Sequence, residues 1–345
     1  MIDHAPALAK ASLPEVSPML VAGEMCSALE GDTLPAIDPT TGSAIGALPV
    51  ARAADVDRAV QAARRAFDEG PWWKDWGPNK RGRALQKLAA LCREHGKELA
   101  RIQALDVGMP FGFARRFDAA ALARNLEYYA SWSDKVYGDT IPLGSPSQLD
   151  YTRREPLGVV VALIPWNTPL LMVGAKLGPA LATGNVVILK PSEHASLGAL
   201  RFAQLALEAG LPEGVIQVIS GDGTTGDLLV RHPGIDKISF TGGRDTARAV
   251  QHAAADNLVP TVLELGGKSP NLVFEDADLD RVPMPSAMGI FGLSGQACAA
   301  GSRLLVHRSI HDAVIDEITR VAGSLSIGDP LEPWTMLGPL VHQAH

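Results

Sequence analysis

The chain has 345 residues, 46% of them hydrophobic and 20% charged, with a formal net charge of −7. That length exceeds what one hydrophobic core usually supports, so two domains are expected, and the composition is that of a soluble globular protein. With no Lys/Arg cluster to track phosphates and no apolar run longer than residues 159–165, neither nucleic acid nor a membrane is expected as a partner.

In chain order, Met1-Ile2-Asp3-His4-Ala5-Pro6 lacks the basic-then-apolar pattern of a secretory signal. The 3 cysteines are widely separated and show no metal spacing, so a reducing, cytoplasmic location is expected. The first part reads as helix-rich. Val56, Val60, Ala63 and Phe67 recur at helical spacing, Asp55 lies in the first turn where it suits the macrodipole, and Pro71 ends the segment. A second helix carries Leu85, Leu88, Cys92, Leu99 and Ile102 on one face, which assigns Cys92 to core packing. Cys26 has no distinguishing context. Residues 136–156 read as a turn-rich hairpin standing away from the core.

The middle of the chain alternates regularly. Gly158 opens an apolar run to Ile164, as expected of a strand buried on both faces. Further strands follow at residues 185–189, 215–219, 237–240 and 261–264, with helices between them, one over residues 196–209. Short connections between alternating strands and helices predict an α/β fold with a doubly wound, Rossmann-like parallel sheet. Such sheets bind ligands at the carboxyl ends of their strands. Those ends carry Pro165-Trp166-Asn167-Thr168-Pro169, Lys190-Pro191-Ser192-Glu193, Thr241-Gly242-Gly243 and Glu264-Leu265-Gly266-Gly267.

Beyond them lies Gly295-Gln296-Ala297-Cys298-Ala299-Ala300-Gly301-Ser302-Arg303. A thiol among small residues leaves room for a carbonyl to approach and for backbone N–H groups to face a developing oxyanion. The same stretch also suits a glycine-rich turn around an inert thiol. Near the end, His342 and His345 sit three apart without a thiol or acidic partner and read as a chance pair, so no metal is expected.

Taken together, in order and at compatible separations, these segments resemble the NAD(P)-dependent aldehyde dehydrogenase superfamily from about Ala36 to the last residue. The resemblance implies oxidation of a small-molecule aldehyde with NAD as cofactor. It makes Cys298 the nucleophile, Asn167 the oxyanion donor and Glu264 the general base, the last with its pKa raised by partial desolvation at a strand end. Asn167 between prolines also suits a simple Asx turn, and Glu264 a cap on the Gly266-Gly267 turn. Lys190 and Glu193 match residues at the adenosine ribose, where an acidic side chain disfavours a 2′-phosphate and so NADP. Ile164, Pro165 and Trp166 match the floor of the cofactor site, with Phe240 and Leu265 on its walls. Gly223, and Thr241 with Gly242 and Gly243, match loops on the adenine and pyrophosphate sides, where a helix N-terminus favours anions.

The sequence also departs from the family pattern. The segment Gly221–Gly226 is one residue short, Gly243 stands where Ser is frequent, and Ala247 stands where glycine is usual. After Gly338-Pro339-Leu340-Val341 the sequence ends at His345, whereas family members continue into a Glu-Ile-Phe-Gly-Pro-type segment that holds the nicotinamide ribose. The expected organisation is therefore an NAD-binding domain (1–135 and 157–264), a protruding oligomerisation hairpin (136–156) and an incomplete catalytic domain (265–345). A homodimer or homotetramer is implied for a full-length form. Two other functions stay open: a CoA-acylating dehydrogenase, against which Glu264 argues, and a non-catalytic fragment or relic that at most binds nucleotide.

Overall fold

A computed structural model describes residues 13–345. The stretch read as lacking a secretory signal lies outside the described residues.

In the part read as helix-rich, the described residues open with four short strands: β1 (Met19–Val21), β2 (Glu24–Cys26), β3 (Thr33–Ile37) and β4 (Ala44–Pro49). β1 and β2, of three residues each, are too short to display a period of two, so they leave no pattern to read. Helices follow as expected: α1 (Ala53–Asp68), α2 (Pro71–Lys74), α3 (Pro78–Glu94), α4 (Gly96–Val107), α5 (Phe111–Phe113), a π-helical turn (Ala114–Asp118) and α6 (Ala119–Trp132). Val56, Val60 and Ala63 are buried on α1, and the Asp55 carboxylate accepts from the Arg52 amide at its start. Pro71 both ends this segment and opens α2.

The single helix expected through Leu85 and Ile102 is two, broken at His95. His95 leaves the helical region with ψ near 10°, and Gly96, a weak helix former, opens α4. The ring of His95 sits 2.8 Å from Glu98 Oε2, which also takes Arg201, so the break is held by a small polar cluster. All five stripe residues are nevertheless buried, Cys92 among them. Burial pushes the Cys92 thiol up to about 12, which leaves it inert.

The hairpin is present as β5 (Thr140–Ile141) and β6 (Asp150–Tyr151), with Thr140 opposite Tyr151 and with Tyr137, Leu149 and Tyr151 exposed. The alternation then runs β7 (Val159–Ile164), α7 (Pro169–Ala182), β8 (Val186–Pro191), α8 (Leu197–Ala209), β9 (Ile216–Val218), α9 (Gly223–Arg231), β10 (Lys237–Gly242), α10 (Arg244–Asp256) and β11 (Thr261–Leu265). These strands form one sheet in the order β11-β10-β7-β8-β9-β1-β2. The pairs from β11 to β9 are parallel, and β1 and β2 add an antiparallel edge. Every residue of β7 and β8 is buried. Each such Val, Ile or Leu contributes about 1.5–3 kcal/mol of hydrophobic stabilisation, which fixes the centre of the sheet.

After β11 the chain builds a separate pair of parallel strands, β12 (Pro270–Val273) and β13 (Arg303–Val306), with α11 (Pro283–Phe291) between them and α12 (His311–Gly323) after them. Leu272, Phe274 and Leu305 are exposed there. Among the described residues, no helix is long and apolar enough to cross a membrane.

The helix α7, which starts just after Asn167, packs on α6 at unusually short range. A Cβ on Gly174 would stand 2.9 Å from the Leu122 carbonyl oxygen and 3.0 Å from the Asn125 Cβ. Backbone cannot yield as a flexible side chain can. Gly174→Ala is therefore expected to destabilise the fold by about 1–3 kcal/mol, read as a lower midpoint in urea. An unchanged midpoint would show that α6 and α7 can separate freely.

Candidate active site

The carboxyl ends of β7, β10 and β11 open on a cavity of about 330 Å³. Pro165, Trp166 and Asn167 line it from the end of β7, Thr241, Gly242 and Gly243 from β10, and Leu265 from β11. Cys298 closes it from the loop between α11 and β13. Eight of the sequence-derived positions thus converge. Lys190, Glu193, Gly223, Ile164, Phe240 and Glu264 are not part of this lining. Ile164 and Phe240 are buried within their strands, so they act as packing beneath the cavity.

Cys298 is an exposed, free thiol. Its loop is unusual upstream, where Leu293, Ser294 and Gly295 all have positive φ, at 54°, 56° and 77°. Two non-glycine residues in that region cost about 1–3 kcal/mol each unless their surroundings hold them. The restraints are visible. Ser294 Oγ donates to the Gly338 carbonyl at 2.8 Å, Gln296 Nε2 donates to Leu293 O at 3.1 Å, and Gln296 Oε1 accepts from the Val341 amide at 3.0 Å. Gln296 therefore ties the Cys298 loop to the segment that follows Gly338. Sequence reading passed over it, because its bonds are tertiary and leave no local signal.

Asn167 does not form an Asx turn. Its Nδ2 donates to the Gln296 carbonyl at 2.8 Å, across to the cysteine loop. An amide nitrogen carries two N–H groups, so a second remains for a substrate oxygen. The Cys298 amide takes no partner among the described residues.

Glu264 departs from expectation. It is exposed on β11, so the desolvation expected at a strand end is not present. The reason is topological: β11 is the edge of the sheet and pairs with β10 alone. Glu264 does sit opposite a cation that the sequence did not flag. Lys176, half-buried on α7, has its pKa lowered by burial and raised again by the charge of Glu264.

At the end of β8, Lys190 is buried, with Nζ donating to Pro191 O at 3.0 Å and lying 3.9 Å from Glu193 Oε2. Burial lowers its pKa, opposed by Glu193 and Asp222. The two glycine segments differ. The start of α9 at Gly223 is already capped, because Asp222 Oδ1 accepts from Thr224 and Thr225 at 2.9 and 3.3 Å. That carboxylate occupies amides an anion would need, so the anion-binding reading of this segment is corrected. The start of α10 has no side-chain cap at Gly243, and a Cβ there would meet nothing within 4 Å. His342 and His345 pack against Trp166, with ring centroids 5.9 and 4.7 Å away.

The family model described as "Aldehyde dehydrogenase family" matches residues 27–345. The chain belongs to the aldehyde dehydrogenase family. It is 43% identical to the NADP/NAD-dependent aldehyde dehydrogenase PuuC of Escherichia coli (strain K12), over 95% of this chain and 66% of that protein. It is 42% identical to the mitochondrial benzaldehyde dehydrogenase of Antirrhinum majus, over 94% of this chain and 60% of that protein. Among solved aldehyde dehydrogenases, the NAD+ complex from Bacillus cereus superposes with a TM-score of 0.95 at 41% identity, covering 99% of this chain and 69% of that one. The chain thus spans roughly 60–66% of the length of these curated relatives.

Proposed function

We propose that this chain oxidises an aldehyde to a carboxylic acid, with NAD as the hydride acceptor. The observation that carries the reading is the convergence of Cys298, Asn167 and Thr241–Gly243 on one cavity at the strand ends. The residues fit the dinucleotide. The uncapped start of α10 at Gly243 leaves first-turn amides for a pyrophosphate. Thr241 Oγ1 is buried without a hydrogen-bond partner among the described residues, as a group awaiting a ligand would be. Glu193, held close to Lys190, favours NAD over NADP by repelling a 2′-phosphate. Solved relatives support the choice, including an indole-3-acetaldehyde dehydrogenase in complex with NAD+.

Bound there, the nicotinamide supplies an acceptor for the hydride of the substrate carbon. The rest falls to the protein. The Cys298 thiolate forms a bond to the aldehyde carbon, and the carbonyl π electrons move to oxygen. The second N–H of Asn167 and the Cys298 amide donate to that oxygen. Once the carbon is at the acyl level, Glu264 takes a proton from water, the hydroxide oxygen bonds to carbon, and the thiolate leaves. Glu264 adjoins Leu265, which lines the cavity. The exposed hairpin around Tyr137 and Tyr151 supports a homodimer or homotetramer, and three free thiols support a cytoplasmic location. The proposed domains divide the chain at residues 136, 157 and 265.

Isothermal titration with NAD beside an aldehyde oxidation assay tests the reading. Turnover supports oxidation, whereas binding without turnover favours a nucleotide-binding module. A CoA-dependent rate favours acyl transfer to a thiol. Within the first outcome, Asn167→Ala is expected to lower kcat by about 10²–10³-fold, the usual cost of one oxyanion donor, with NAD affinity kept. An unchanged kcat would remove Asn167 from the mechanism.

A further inference from the structure

A helix that begins directly after a catalytic side chain sets where that side chain stands. Helix α7 is such a helix, since only Thr168 separates Asn167 from its first residue, Pro169. Its N-terminus needs partners for the first-turn amides. Thr168, at the N-cap, makes no side-chain cap hydrogen bond. The partner comes from 53 residues earlier: Asp118 Oδ1 accepts from the Leu171 amide at 2.8 Å, and Oδ2 accepts from the Leu170 amide at 3.3 Å. Asp118 is fully buried at the end of the π-helical turn, a break in helical register of the kind often found near functional sites. Gln103 of α4 donates its Nε2 to the same carboxylate at 2.5 Å.

We propose that Asp118 is a positioning residue for the oxyanion donor, holding the start of α7 so that Asn167 faces the cysteine loop. This rests on the function proposed above. Asn167 is then fixed from both sides, by α7 behind it and by the Gln296 carbonyl in front.

The electrostatics say why a carboxylate stands here. Burial pushes the Asp118 carboxyl up to about 6, opposed by Gln103 and the amides of Leu171 and Leu170. No cation is among those groups. A carboxyl raised in the folded state favours folding at low pH, and that contribution is lost as pH rises through about 6. At pH 8 the ionised Asp118 is thus a burden on stability, retained for what its charge does at a helix N-terminus.

Asp118→Asn is consequently a clean variant. The new amide can keep one acceptor for Leu171. Its nitrogen can meet Gln103 Oε1, which is buried without a partner and becomes available if the Gln103 amide turns over. Only the Leu170 bond and the charge are lost. At pH 8 we expect kcat to fall at least tenfold, toward the roughly 10²-fold cost of a 1 Å misplacement, with KM for aldehyde and Kd for NAD little changed. Thermal stability should be equal or higher, and backbone hydrogen exchange at Leu170 faster. An unchanged kcat in an active protein, or a fall in kcat that tracks a fall in Tm, would overturn the positioning role. If the wild type itself turns over no aldehyde, the proposed oxidation fails first. Exchange then decides Asp118: unchanged protection at Leu170 overturns it.

Discussion

Replacing Cys298 with alanine is expected to abolish aldehyde oxidation, by about 10⁵-fold or more, while NAD affinity stays within about a factor of two. The two halves of this result have separate physical origins. Without sulfur no bond forms to the aldehyde carbon, and neither neighbour, Ala297 or Ala299, offers another nucleophile. The backbone that supports the site is untouched, because Cys298 is exposed and its removal opens no cavity in the core. Chemical labelling gives an independent check. Cys92 is buried with its thiol pushed up to about 12, and burial also raises Cys26 ahead of the opposing charge of Arg58. Alkylation at pH 8 should therefore mark Cys298 first and should disappear in the variant. Full turnover by the variant, or equal labelling of all three thiols, would sink the assignment.

Glu264→Gln should give a different signature. Thiol addition and hydride loss can proceed once, so NADH appears in a burst, and the acyl-enzyme then waits for water that nothing activates. Steady-state turnover is expected to fall about 10²-fold, the usual contribution of a positioned base. Stability should change by no more than about 0.5 kcal/mol, because the side chain is exposed at the sheet edge. A linear time course at the wild-type rate would take Glu264 out of the mechanism. Its exposure makes this test sharper, since a loss of activity cannot be blamed on a disturbed core.

Much of the sheet could be read from the chain. β7 to β11 were legible because continuous apolar runs alternate with helical spacing, and strand ends in such folds carry ligand groups. Asn167 drew notice for that reason, whereas Cys298 lies beyond the sheet and drew notice by its small neighbours and the family resemblance. What escaped depends on tertiary contacts. Nothing around Asp118 announces that it caps a helix 53 positions later, and nothing around Gln296 announces Asn167 or Val341. The burial of Glu264 was misjudged because strand order is invisible in sequence, and only the order reveals that β11 is an edge. The break at His95 was missed because a continuous apolar stripe hides a backbone interruption.

The bond from Asn167 to Gln296 joins residues 129 positions apart. Contacts of such long sequence separation form late, after the loop entropy has been met by the assembled sheet. Cys298 and Asn167, the proposed nucleophile and oxyanion donor, are thus expected to meet only when the parallel sheet is already in place. A chain still folding would present the Cys298 thiol without the amide donor proposed for its oxyanion, and so would have an unready site until the sheet is complete.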